Sequence, residues 1–127
     1  MNDLEQMKRR RKLAHGRLMA LQSPVYKSFL ELEKAAYREG ALSARTKLLA
    51  GIAVSVAVDC GACMQWHVEE AARAGAEERE IVEMIEVAIK MGGAPAVVAS
   101  RVAFEAMEQV FKAGGGENDH SRSAERG

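Results

Sequence analysis

Residues 48–58, LLAGIAVSVAV, carry no charge and a single polar side chain, Ser55. As an α-helix they span about 16 Å, against about 30 Å of hydrocarbon in a bilayer, so the stretch is not a membrane span. A helix that is apolar on every side has to be covered on every side. The chain has 127 residues, enough for one domain, and one small domain rarely covers all faces of a helix. Contacts between subunits are the expected remedy. The rest of the chain is helix-prone as well. Apolar residues make up 48% and aromatics only 5%, with two prolines. Many small apolar side chains and few breakers favour closely packed helices over a sandwich of strands. The expected fold class is all-α, with about six helices.

Residues 1–22 read as a basic N-terminal helix or arm, with Leu4, Met7, Leu18 and Leu21 as apolar positions around a basic run at 8–12. That run reads as a solvated helix face, with a nucleic-acid or targeting patch as the alternative. Ser23 followed by Pro24 is an N-cap before a first helical position. The second helix is expected to run to about Glu39, with Val25, Phe29, Leu32, Ala36 and Tyr37 inward and Gly40 ending it. Ser43 caps a third helix that continues through residues 48–58. A fourth is expected from about Cys60 to Ala74, closed by Gly75. A fifth covers Glu77 to Met91, with Ile81, Met84, Ile85, Ala88 and Ile89 as its stripe. Pro95 opens a sixth after Gly92 and Gly93, and its stripe includes Ala99, Val102, Ala103, Ala106, Met107 and Val110. Residues 114–127 read as a disordered tail, which leaves 23–113 as the helical domain. The alternative for residues 52–58 is a β-branched strand leading into Cys-x-x-Cys, the thioredoxin arrangement. It lacks the further strands such a fold requires.

Eighteen basic side chains balance eighteen acidic ones. That balance argues against a dedicated nucleic-acid binder and against an electrostatic membrane anchor. Asp3 and Glu5 stand where a signal peptide has its basic region, and no apolar segment follows. A cytoplasmic location is expected. Two cysteines are too few for a disulfide scaffold, and in a reducing compartment a paired Cys motif acts rather than braces.

The segment Cys60-Gly-Ala-Cys63-Met-Gln-Trp-His67 carries the chemistry. On a helix, Cys60, Cys63 and His67 fall within an arc of about 60°, so two sulfurs and an imidazole share one face. A helix N-terminus and a nearby His lower a thiol pKa. His67, four residues after Cys63, can exchange a proton with it. The second thiol can resolve an oxidised intermediate into a Cys60–Cys63 bridge. Spacing to His67 favours Cys63 as the nucleophile, with Cys60 as the more exposed partner for a reductant; the helix-terminus effect favours Cys60 instead. Zinc would need further ligands, and only His15 and His120 remain as nitrogen donors. Two structural cysteines beside a core His are the other alternative. Gly92 and Gly93 lack the Gly-Lys-Ser/Thr ending of a phosphate loop and read as a helix stop. Trp66 reads as a pocket wall or a subunit contact, and Met84, Met91 and Met107 as core filler.

The run Ala41-Leu-Ser-Ala-Arg-Thr-Lys47, the apolar helix, Cys60-Gly-Ala-Cys63, His67, Gly75-Ala76, Glu-Glu-Arg-Glu-Ile81 and Met91-Gly-Gly-Ala-Pro95 together resemble the carboxymuconolactone decarboxylase and alkylhydroperoxidase D-like family. The resemblance covers about residues 25–111. It implies packed antiparallel helices assembled as trimers or hexamers, with Cys60, Cys63 and His67 as the redox centre of the alkylhydroperoxidase-like branch. The lactone decarboxylase branch typically lacks such a Cys pair. Members with a full proton relay usually carry Glu directly after the Thr-Lys pair, where this chain has Leu48. That departure implies a weaker base at His67. Glu69 and Glu70 are near in sequence, and Glu70, three residues after His67, can share its side of the helix, although most such residues are solvated; Glu31 and Glu33 on the second helix reach the site only if that helix packs against it.

The expected activity is therefore a thiol-dependent oxidoreductase that reduces a peroxide or a disulfide through the Cys-x-x-Cys dithiol. The alternatives are a non-enzymatic redox-sensing or ligand-binding protein, and a decarboxylase-like enzyme acting on a small lactone or keto acid. The expected partners are further copies of the chain, the small-molecule substrate and an external dithiol reductant. No cofactor, bound metal, nucleic acid or membrane is expected.

Overall fold

The computed structural model describes residues 2–114 and folds them into six helices. These are α1 (Asp3–Ala20), α2 (Pro24–Ala36), α3 (Ala44–Ala57), α4 (Gly61–Arg73), α5 (Glu78–Gly92) and α6 (Ala94–Gly114). Helices begin where a side chain can satisfy a free backbone N–H. Asn2 Oδ1 accepts from Glu5 N–H at 2.8 Å, Ser23 Oγ from Tyr26 N–H at 3.1 Å and Ser43 Oγ from Thr46 N–H at 3.0 Å. At α5 the Glu80 carboxylate reaches back to Glu77 N–H at 2.9 Å. Residues 52–58 are helix and C-cap rather than strand, and no strand occurs among the described residues. Among those residues no helix is long and apolar enough to cross a membrane. The stretch expected as a tail begins at the last residue of α6; residues 115–127 lie outside the described residues.

Three of the corners are built alike. Past α3, Asp59 N–H bonds Val56 O at 3.1 Å and Cys60 N–H bonds Ser55 O at 3.0 Å, with Asp59 in the left-handed region at φ 54°. This double bond back into the last turn is the Schellman motif. Gln22 (φ 52°) closes α1 the same way, and Gly75 (φ 96°) closes α4. Each motif ends one helix within two residues of the next N-cap, so Ser23 and Cys60 belong to two helices at once.

The core lies among α3, α4, α5 and α6. Ile52, Met64, Val68, Ile81 and Ile85 are fully enclosed, each worth about 1.5–3 kcal/mol of burial. Ala71, Ala88, Ala99, Ala103 and Ala106 are buried between them, and their small size lets the backbones approach. The stripes expected on the fifth and sixth helices thus face inward. α1 is docked more lightly. Leu4 is buried, Gln65 Nε2 donates to Leu4 O at 2.8 Å, and Lys8 and Arg11 reach Glu69 at 3.6 and 3.1 Å. The basic run is therefore a solvated face with two of its side chains tied down.

Two expectations about burial fail within one chain: Met91, expected as core filler, is 73% exposed, and the inward face expected of the second helix is uncovered. The second helix has a true apolar stripe, but none of its residues is buried; Val25 is 79% and Leu32 65% exposed, with Phe29 also open. Periodicity gave the right face and not its covering, because α2 is fixed chiefly by its ends and the other helices do not close over it. It also stops at Ala36, three residues earlier than expected. Arg38 O is drawn to Lys47 Nζ at 2.8 Å, and Tyr37 becomes the C-cap. The third helix buries Leu48, Leu49, Ile52, Ser55 and Val56, whereas Val54 and Val58 are 59% and 65% exposed. One side of it is uncovered in a single chain, as expected of an all-apolar helix in so small a domain.

The corner geometry sets opposite signs for two substitutions. Asp59→Gly relieves a left-handed non-glycine residue and should stabilise the chain by about 0.5–1 kcal/mol. Gly75→Ala introduces the same strain and should cost about 1 kcal/mol. Urea midpoints at unchanged m-value report both.

Candidate functional site

Cys60 reaches its place through the α3 corner. Its N–H ends α3 and its sulfur begins α4, accepting from Cys63 N–H at 3.2 Å. A single turn then brings the two cysteines together with Cα atoms 5.2 Å apart, and their sulfurs are bonded. Both sulfurs sit at the positive end of the α4 dipole, where a thiolate is stabilised. Their exposure is the reverse of the expected order. Cys63 is open to solvent and Cys60 half-buried, because the N-cap position folds Cys60 back against the corner it closes.

His67 follows one turn after Cys63, but neither ring nitrogen bonds a sulfur. Nδ1 lies 2.7 Å from the Cys63 carbonyl oxygen. A carbonyl only accepts, so Nδ1 carries the proton. Nε2 lies 2.5 Å from Tyr37 Oη, and in a neutral imidazole it accepts the phenolic proton. Burial, and then the negative charge of Glu33, push the Tyr37 pKa up from its ordinary value, so the phenol stays protonated and able to donate. Trp66 stands edge-on to His67 with ring centroids 4.8 Å apart. The ring lies against Gly51 of α3: a Cβ there would meet His67 Cδ2, stand 2.6 Å from Nε2 and 3.1 Å from Tyr37 Oη. The site needs glycine at that position for room.

Beside this pair lies a cavity of about 480 Å3 between α2 and the α3–α4 layer. Leu30, Ala44, Leu48 and Trp66 form its apolar walls, and Tyr37, Glu31, Glu33, Lys34 and Glu70 supply polar groups. Leu48, 8% exposed, thus faces the same space as Tyr37. Packing brings Glu31 and Glu33 to the cavity. Glu70 also lines it while paired with Arg73 at 3.0 Å. Glu69 is turned to Lys8 and Arg11 instead. His15 bonds Tyr26 Oη at 2.5 Å, and His120 is outside the described residues. Among the described residues no three His, Cys, Asp or Glu side chains converge as a metal-ligand group. A larger cleft of about 860 Å3, between the start of α1 and the end of α6, has a charged lining that includes neither cysteine nor His67.

Sequence reasoning missed two residues of this arrangement. Tyr37 reads in the sequence only as an inward position. Gly51 carried a usable signal, since glycine inside a helix costs about 1 kcal/mol relative to alanine, and such a residue usually marks a close approach.

Gly51→Ala should separate stability from geometry. The helix gains about 1 kcal/mol in propensity and loses about as much in the Tyr37–His67 bond, so the melting temperature should hardly move. The His67 ring should nevertheless leave Tyr37, which imidazole and phenol NMR shifts would register.

A model of the carboxymuconolactone decarboxylase family matches residues 23–106. The "uncharacterized protein 4 in cox locus" of Paracoccus denitrificans is 35% identical over 83 residues, which are 65% of this chain and 75% of that one. The crystal structure of an apo carboxymuconolactone decarboxylase family protein from Legionella pneumophila superposes with a TM-score of 0.82 at 25% identity, covering 87% of this chain and 98% of that chain. A family protein from Thermotoga maritima, described with a possible part in an antioxidative response, superposes with a TM-score of 0.73 at 27% identity over 82% and 88% of the two chains. With six helices laid out as in these structures and the family's pattern over most of its length, the chain belongs to the carboxymuconolactone decarboxylase family.

Proposed function

We propose that the chain is a thiol-dependent oxidoreductase of the alkylhydroperoxidase-like class, reducing a peroxide or a disulfide through Cys60 and Cys63. The observation that carries this reading is the bonded Cys60–Cys63 pair at the N-terminus of α4, with one sulfur open to solvent. The antioxidative response attached to the Thermotoga relative fits the same chemistry. In the peroxide reaction the Cys63 thiolate attacks the O–O bond. An S–O bond forms, the O–O bond breaks, and the departing alkoxide takes a proton from His67 or water. The Cys60 thiol then condenses with the Cys63 sulfenic acid, releasing water and leaving the disulfide. An external dithiol restores it by attacking exposed Cys63 and expelling Cys60. The N-terminal dipole stabilises the Cys60 thiolate, which makes it the better leaving group. A reducing cytoplasm, where such dithiols are available, is the compartment this cycle requires.

A second reading is a redox sensor that oxidises once without turnover. It is favoured by one observation: both His67 nitrogens are taken by Cys63 O and Tyr37. Peroxide consumption with dithiothreitol as the regenerating dithiol separates the two. The enzyme reading expects many turnovers per chain, and a single stoichiometric oxidation would favour the sensor. Cys63→Ser should abolish the reaction with peroxide. With peroxide alone and no dithiothreitol, Cys60→Ser should permit one oxidation, trap a sulfenic acid and stop; the reverse pattern would exchange the roles of the two thiols.

The uncovered apolar faces of α2 and α3 fit further copies of this chain, in the trimer or hexamer that the family resemblance implies. Sedimentation at micromolar concentration should therefore show an oligomer. Phe29→Asp or Val54→Asp should dissociate it without unfolding the chain, since both side chains are exposed in a single copy. A monomeric parent protein would remove this part of the reading.

A further inference from the structure

His67 is held by two groups, and one of them is not a fixed acceptor. Cys63 O only accepts, which settles Nδ1. Tyr37 Oη can donate to Nε2 or accept from it. The bond therefore survives protonation of His67 by reversing direction. Reversed, it becomes charge-assisted and roughly twice as strong as the neutral bond it replaces. The phenolic hydrogen is then free to turn toward the cavity. Of the charged groups lining that cavity, Glu31, Glu33 and Lys34 come from α2 and Glu70 from α4, while α3 presents only Ala44 and Leu48. Glu70 is already paired with Arg73. Glu33 stands one helical turn before Tyr37, and its charge is felt at the phenol.

We propose that Tyr37 is the positioning residue of the dithiol site: it fixes His67 with its proton on Nδ1 and couples Nε2 to the Glu33 carboxylate, so that His67 holds the proton released when a cysteine thiol ionises. The proposal rests on the oxidoreductase reading. The proton reaches Nε2 through solvent, because neither nitrogen bonds a sulfur. It stays there, Nε2–H donates to Tyr37 Oη, and the phenolic O–H turns toward Glu33. No charge is left alone in the apolar layer, and the nearby imidazolium favours the thiolate. Removing the hydroxyl removes the stronger, reversed bond, so the protonated state of His67 loses more than the neutral one.

The test follows the His67 ring by NMR against pH in the reduced full-length protein, with iodoacetamide alkylation at pH 7 as the thiol readout. Tyr37→Phe should lower the His67 midpoint by at least half a pH unit and slow alkylation about threefold. Glu33→Gln should shift the midpoint in the same direction by less. Leu48→Glu in the Tyr37→Phe background places a carboxylate on the same cavity and should return the midpoint toward the parent value. A merely structural tyrosine would change the melting temperature and leave the midpoint in place. A folded Tyr37→Phe protein with an unshifted midpoint overturns the proposal; should that variant not fold, an unshifted Glu33→Gln protein does so. The midpoint is read without peroxide, so the two readings fail separately. A shifted midpoint in a protein that turns over neither peroxide nor a disulfide substrate would sink the oxidoreductase reading, and an unshifted midpoint in one that does would sink this one.

Discussion

The backbone N–H of Cys60 closes α3 on Ser55 O at 3.0 Å while its sulfur opens α4 by accepting from Cys63 N–H at 3.2 Å, and the site is a loop of contacts returning to that joint. Ser55 Oγ donates to Gly51 O at 2.6 Å. The Cys63 carbonyl accepts from His67 Nδ1, and the His67 ring lies on Gly51, which returns the loop through Ser55 to Cys60. Every link but the last is a short-range bond made by one helix end or by a residue one turn away, and the last is the contact of α4 with α3. The separation of α3 and α4, the position of the sulfurs and the orientation of the imidazole are therefore not independent. A slide of α3 against α4 moves all three, and the buried residues of these two helices, Ile52, Val56, Met64 and Val68, resist it as part of one core.

α2 stands outside this loop and yet supplies Tyr37. None of its residues is buried, so in a single chain it is held by its Ser23 cap, by Tyr37 and by the ties of the following turn to Lys47. Burying an apolar side chain is worth about 1.5–3 kcal/mol. Whatever covers Phe29 and Leu32 would hold α2 far more firmly than these polar contacts do. By linkage, anything that binds this arrangement of α2 also favours the Tyr37–His67 bond. Coverage of the apolar stripe and order at the imidazole are thus one equilibrium read at two places.

What the sequence disclosed follows from the range of each interaction. Local signals were legible: Ser23 and Pro24, Ser43, and Gly75 mark helix ends through bonds within four residues, and the stripes of α5 and α6 point to the core. The closeness of Cys60 and Cys63 was legible for the same reason, since a single turn separates them, whereas the turning of His67 to Tyr37 and to Cys63 O was not. The left-handed corners at Gln22 and Asp59 were not, because neither residue type announces that conformation as glycine does. Nor could periodicity say that the α2 stripe lacks a cover in one chain. The Tyr37–His67 bond joins residues thirty positions apart, and no local rule connects them. Only Gly51, an otherwise unfavourable residue inside an apolar helix, hinted that something approaches there.

The choice of a phenol over a carboxylate beside His67 has a physical reason in this fold. Position 48 lies in the least polar helix and is occupied by a nearly buried Leu48. An ionised acid there would be desolvated and driven toward its neutral form unless His67 already carried a charge. A phenol avoids that dilemma. It is uncharged in both protonation states of the imidazole, and it can donate to one and accept from the other. Burial and Glu33 keep its proton in place by raising its pKa. Tyr37 also sits at the C-cap of α2 rather than inside α3, so its hydroxyl faces His67 while the Glu33 carboxylate beside the cavity belongs to α2 and not to α3. The uncharged wall of α3 and a polar partner for His67 are then compatible, because the partner is brought in from another helix.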